Sequence, residues 1–136
     1  MDLVVSGPVI LSANTTYDLE ISLINELAEP LDPAYHLTDE VRDEADEHIF
    51  YFGWTGNIFA SPSGDGNIDQ RVDLIHYEDA DANSLPLGLT TSWTTAEVSS
   101  GDLRIILKHQ PDIKSATSSV EDGETDLDIV FEVRVE

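Results

Sequence analysis

The chain has no cysteine and a single methionine in 136 residues. Disulfides, thiolate catalysis and cysteine-ligated zinc are thereby excluded. Bases are nearly as scarce: 6 Lys and Arg stand against 28 Asp and Glu, for a formal net charge of −22. Nucleic acid is a poor partner for such a chain, because phosphate contacts need clustered Lys and Arg. Anionic membrane surfaces are disfavoured on the same ground. No apolar run approaches the ~20 residues of a transmembrane helix. The opening MDLVV lacks the basic and long apolar regions of a signal peptide. The chain is therefore expected to be intracellular or a mature, trimmed form, and its abrupt start in strand-like sequence favours trimming.

Catalytic signatures are missing too. There is no G-x-S-x-G elbow, no ordered Ser/His/Asp signature and no phosphate-binding glycine loop. With acids everywhere, no pair stands out as a glycosidase dyad. The chain reads as non-enzymatic.

What is present is a foldable sequence. Apolar residues make up 40%, too many for a disordered acidic tail. The length suits one domain over residues 1–136, able to bury a core without staples. The charge leaves cations, cationic surfaces or plain solubility as its use, and a high-salt habitat would also favour it.

The dominant hydrophobic period is two. Tyr17, Leu19, Ile21 and Leu23 alternate with Asp18, Glu20 and Ser22. Leu127, Ile129, Phe131, Val133 and Val135 alternate with Asp128, Glu132 and Arg134, with Val130 breaking the polar row. These predict half-buried antiparallel strands over 17–24 and 125–135. LRIILK sets Leu103, Ile105 and Leu107 on one face of a strand over 103–109. HIFYFGW (48–54) is a continuous apolar run, as a central sandwich strand requires, and TTSWTTAEV (90–98) has strand composition. DLVV and PVILS (2–12) read as one bent strand or two short ones. Gly, Pro, Asn and Ser separate these runs. The spacing predicts an all-β fold, an antiparallel Greek-key, immunoglobulin-like β-sandwich.

TDEVRDEADEH (38–48) departs from that period. Val41, Ala45, Ile49 and Phe52 share a helical stripe, Thr38 is a candidate N-cap, and Asp39 and Glu40 suit the first turn. A short helix is expected at 39–48. A charged, extended edge is the alternative.

Several segments carry a family resemblance: ANTTYDLEISLINE (13–26), DEADEHIFYF (43–52), GDGNID (64–69), YEDADAN (77–83), LRIILKHQPDIKS (103–115) and GETDLDIVFEVRV (123–135). From about residue 8 onward the chain resembles small secreted all-β lipoproteins of Bacteroidetes, a family without an assigned activity. The resemblance implies secretion or the cell surface, and an anchor on a lipidated N-terminal cysteine. This chain has no such cysteine, and only a dozen residues precede ANTTY. Either it was cut or this member differs.

Residues 64–83, GDGNIDQRVDLIHYEDADAN, form the densest array of oxygen donors. Asp65, Asn67, Asp69 and Asp73 match positions 1, 3, 5 and 9 of an EF-hand-like loop, and Asp79, Asp81 and Asn83 match positions 1, 3 and 5 of a second. Gln70 and Ser84 replace the glycine at position 6, while His76 and Thr90 replace the glutamate at position 12. The flanks are strand-like, so a true EF-hand is excluded. A looser structural calcium site is one reading; ordinary acidic turns, built from residues that favour turns, are the other. His48 and His109 sit at strand ends, and His36 and His76 near loops. Either they converge as copper and zinc sites on sandwiches do, or they are satisfied polar groups. Trp54, Trp93, Tyr51 and Tyr77 either stack on a carbohydrate or fill the core.

The function expected is thus a non-enzymatic secreted or surface module with calcium as its candidate ion. The alternatives are a subunit of a larger surface assembly joined by strand addition, through self-association or a surface protein partner, and a carbohydrate-binding module. Charge makes one testable demand on any of these. Raising monovalent salt from about 0.01 M to 1 M shortens the screening length from ~30 Å to ~3 Å. The melting temperature should climb across that series, and a flat or falling trend contradicts mutual carboxylate repulsion.

Overall fold

A computed structural model describes residues 7–25, 27–29, 31–32 and 35–136. The strand read at 2–5 lies outside them. The elements are β1 (Val9–Leu11), β2 (Thr16–Glu20), α1 (Leu37–Asp43), a 3-10 turn (Ala45–Glu47), β3 (His48–Trp54), β4 (Phe59–Ser61), β5 (Thr90–Thr95), β6 (Ser99–His109) and β7 (Glu124–Val135). They form two packed sheets, ordered β1-β7-β6-β3 and β2-β5-β4. Pairing is antiparallel except between β1 and β7. The fold is an all-β sandwich.

The period-two pattern builds the core as expected. Phe50, Phe52 and Trp54 of β3, Leu103, Ile105 and Leu107 of β6, and Val133 and Val135 of β7 are buried against Trp93 and Phe59 of the second sheet. Leu19, Ile21 and Phe131 reach this core but are only partly buried. The sugar-stacking platform does not form. Trp54 and Trp93 are 5% and 3% exposed, Tyr51 is fully buried, and the two indoles meet edge to face at 5.3 Å. The Trp93 N–H is satisfied by the Thr91 hydroxyl at 2.7 Å, so burial leaves no orphaned donor.

Several boundaries differ from the sequence reading: β5 stops at Thr95 and β6 begins at Ser99. The helix ends at Asp43 and a separate 3-10 turn leads into β3. Thr38 is not its N-cap. Its hydroxyl accepts the Leu23 N–H at 2.6 Å and donates to the Leu23 carbonyl at 3.1 Å, pinning the helix to the chain leaving β2. That chain leaves β2 at Glu20, opposite Thr90, the first residue of β5, and makes one further bond, from the Ile21 N–H to the Leu89 carbonyl at 2.8 Å. Strand sequence beyond it has no ladder to join.

β3 is the unusual strand. It closes one end of its sheet, yet all but one of its residues are buried. Ile49 and Tyr51 face away from the main core and form a second cluster with Ile106, against Ile68 and Val120 from loops. Core weight therefore differs along the sandwich. Phe52→Ala should cost ~3–5 kcal/mol, and Phe131→Ala only about 1–3 kcal/mol. Urea unfolding of both variants checks the order; equal losses would mean that the β7 side is packed as tightly as β3.

Candidate functional site

The acid-rich segment 64–83 lies along the outer edge of β3, and there it does the work of a missing strand. The Trp54 N–H donates to the Asp65 carbonyl at 3.0 Å, and the Asn67 N–H to the Phe52 carbonyl at 2.8 Å. The Phe52 N–H donates to the Asn67 side-chain oxygen at 2.9 Å. One step further, the Phe50 N–H donates to the Leu87 carbonyl at 2.8 Å, and the Phe50 carbonyl accepts the Tyr77 hydroxyl at 2.6 Å. The Asn67 amide closes the network by donating to Tyr77 at 2.8 Å, and burial pushes the Tyr77 hydroxyl well above its ordinary pKa. Buried backbone groups must be paired, and here a loop pairs them. Gly66 permits the approach: its φ is +103°, and a Cβ would sit 2.0 Å from the Phe52 carbonyl oxygen.

Of the seven expected cation ligands, three have side chains engaged in the fold. Asn67 is buried in the β3 edge. Asp79 accepts the N–H groups of Gly88, Leu89 and Thr90. Asp81 Oδ1 accepts those of Asn83 and Leu85, while Oδ2 meets Lys114 Nζ at 2.9 Å. Asn83 is exposed and serves through its backbone; Asp65 and Asp69 are exposed, and Asp73 is half-buried. None of the five aspartates belongs to a group of three or more His, Asp or Glu side chains that meet in space, among the described residues. Acids at turn spacing satisfy backbone N–H groups locally, and three of these seven are consumed that way or by β3.

The Asp81–Lys114 pair is almost wholly buried, with side chains 0% and 1% exposed. Burial works to raise the Asp81 carboxyl, but Lys114 and the Leu85 and Asn83 N–H groups outweigh it and hold it below the usual range. Burial pushes the Lys114 ammonium down, with Asp81 opposing. The ammonium also donates to the Ala45 carbonyl at 2.8 Å. One lysine thus ties the 110–123 loop to the 79–85 turn and to the entry of β3. No spacing in the sequence marked it.

The histidines separate. His48 and His109 are directly paired across β3 and β6, and their rings stack at 4.8 Å and 19°. Glu44 joins them, with one donor atom of each of the three within 4.8 Å of the others. His76 Nε2 lies 2.8 Å from the Ser61 hydroxyl, but the ring has no carboxylate partner among the described residues, so no Ser/His/acid triad forms.

On the opposite side of the sandwich the sheets part. β7 pairs with β6 along its length but with β1 only over Val133–Val135. Its other edge, over residues 124–132, carries no strand among the described residues. Leu127, Ile129 and Phe131 are half-buried there while their neighbours in β6 are buried. A cavity of about 280 Å³ opens between the sheets, lined by Tyr17, Leu19, Trp93, Ile105 and Phe131 among others. No family model, curated protein or solved structure matches the chain.

The buried pair yields a pH-dependent test. Removing one partner of such a pair costs ~3–5 kcal/mol, since the other charge stays buried, so Lys114→Met should lose about that much near pH 7. Asp81 has a depressed folded value, so its contribution is present above the unfolded carboxylate value of about 3.9 and fades as pH falls through the folded one. In the variant a protonated Asp81 is no longer an unpaired charge. Urea unfolding at pH 7 and pH 3 should therefore show the deficit shrinking in acid, and an equal deficit at both would contradict an ionised pair.

Proposed function

We propose that this chain is a non-enzymatic β-sandwich module of the secreted or cell-surface space, joined to a partner by strand addition along β7. The observation that carries the proposal is the contrast between the two sheet ends. The edge of β3 is satisfied by loop groups, whereas residues 124–132 of β7 have no strand on the edge away from β6 among the described residues and flank an apolar opening. Open edges are templates for pairing, and a groove for alternate side chains supplies specificity.

The occupant is an extended segment of a surface protein. Its inward residues are apolar, to fill the space beside Leu127, Ile129 and Phe131. Its intervening residues are Lys or Arg, because β7 exposes Glu124, Asp126, Asp128 and Glu132, and Arg104 and Arg134 pair only with Asp128 and Glu132. A second copy is the poorer occupant: each brings a net charge of −22, and like charge suppresses association. The strand order also supports a Greek-key, immunoglobulin-like reading, with β1 beside the C-terminal end of β7 and β2-β5-β4 opposite. The resemblance to anchored surface lipoproteins supports the location.

The test is a titration of the protein with a ten-residue peptide alternating Val and Lys, followed by backbone amide NMR. Shifts should concentrate at 124–132, and a Val/Glu peptide should bind at least tenfold more weakly. Absence of shifts there at millimolar peptide would contradict strand addition. Equal binding of both peptides, or concentration-dependent dimers in light scattering, would overturn the basic partner.

A further inference from the structure

We infer that the histidine end of the β3–β6 ladder is a binding site for a zinc-class divalent cation. It rests on observations different from those behind the strand-addition reading, although Asp126 of β7 borders it. The register makes the site. His48 opens β3 and His109 closes β6, and antiparallel pairing sets them directly opposite each other, which brings imidazoles 61 positions apart in sequence into contact. Glu44 reaches the same place from the turn between α1 and the 3-10 helix.

The donor chemistry selects the ion. Two imidazoles and a carboxylate suit zinc, copper or nickel, and give calcium and magnesium too few oxygens. His48 is the prepared ligand. Its Nδ1–H donates to the Glu44 carbonyl at 2.9 Å, because a carbonyl only accepts. In the neutral ring that bond fixes the tautomer and places the lone pair on Nε2, the arrangement metal-binding histidines use. The His48 side chain is 7% exposed, and an Asp126 oxygen stands 3.5 Å from Nε2.

Closure needs a small movement. Tetrahedral zinc with bonds of ~2.0–2.1 Å places its donors roughly 3.4 Å apart. The three donors lie within 4.8 Å of one another, and the rings are stacked rather than convergent, so one ring must turn. His109 is half-buried and Glu44 exposed, so these two move while His48 stays. Asp126 or water then completes the shell.

Zinc chloride is the probe, titrated into the whole chain at constant ionic strength with magnesium as the control for attraction to a highly acidic protein. One equivalent of zinc should raise the melting temperature where equal magnesium does not. On the unmodified protein, imidazole nitrogen NMR should show His48 and His109 shifting with zinc while His36 and His76 stay fixed. Glu44→Gln and His109→Gln should each weaken zinc binding at least tenfold, with melting temperatures in chelator near that of the parent. Zinc shifts equal to those of magnesium would overturn the site, as would zinc-dependent NMR changes spread over all four histidines. Because the NMR reads the parent protein, a variant that fails to fold leaves the test intact.

Discussion

The rest of the structure depends on closing the open edge of β3. This strand ends its sheet yet is buried on both faces, so its outward N–H and C=O groups cannot be left to water. Each unpaired one would cost about 1–3 kcal/mol. Among the described residues no neighbouring strand supplies partners. Asp65, Asn67, Tyr77 and Leu87 supply them instead, from a long irregular segment. That obligation fixes where the segment runs, why Gly66 stands where no side chain fits, and why the Tyr77 hydroxyl turns to the Phe50 carbonyl.

Holding such a segment in place requires further bonds, and the few bases are spent there or on local pairing. Lys114 meets Asp81 beneath the loops. The Arg71 side chain donates to the Ser118 carbonyl at 2.7 Å and lies over the Tyr51 ring. Arg104 makes a two-pronged contact with Asp128 at 2.8 and 2.6 Å, which holds that carboxyl below its usual range. Lys108 donates to Thr125. Scattered this way, the bases form no patch, while most acids remain on the surface. The two edges therefore contrast: β3 is closed by loop groups, and residues 124–132 of β7 carry no strand on the edge away from β6 among the described residues.

Much of the frame was legible in the sequence because short-range pattern dictates it. The apolar run 48–54 and the alternation over 125–135 correspond closely to β3 and β7. Trp54 and Trp93 were open between core and ligand platform, and the indole packing decides for the core. The jobs of Asn67, Asp79 and Asp81 were not legible. An Asp/Asn/Gly-rich loop reads alike as ion ligand or turn until the strand it covers is known. Lys114 was unreadable for the same reason, since its partner lies in another loop. His48 and His109 were visible only as separate strand ends, because their contact is set by a long-range register that no local window contains.

Native-state amide hydrogen exchange at Phe50, Phe52 and Trp54 tests the closed edge most directly. These amides donate to Leu87, Asn67 and Asp65 rather than to a strand. If the loop is integral to the fold, all three should exchange only through global unfolding, with opening free energies equal to that from denaturant. Exchange through local opening, several kcal/mol below the global value, would contradict the account: the loop would then be a loose cover and β3 an ordinary exposed edge.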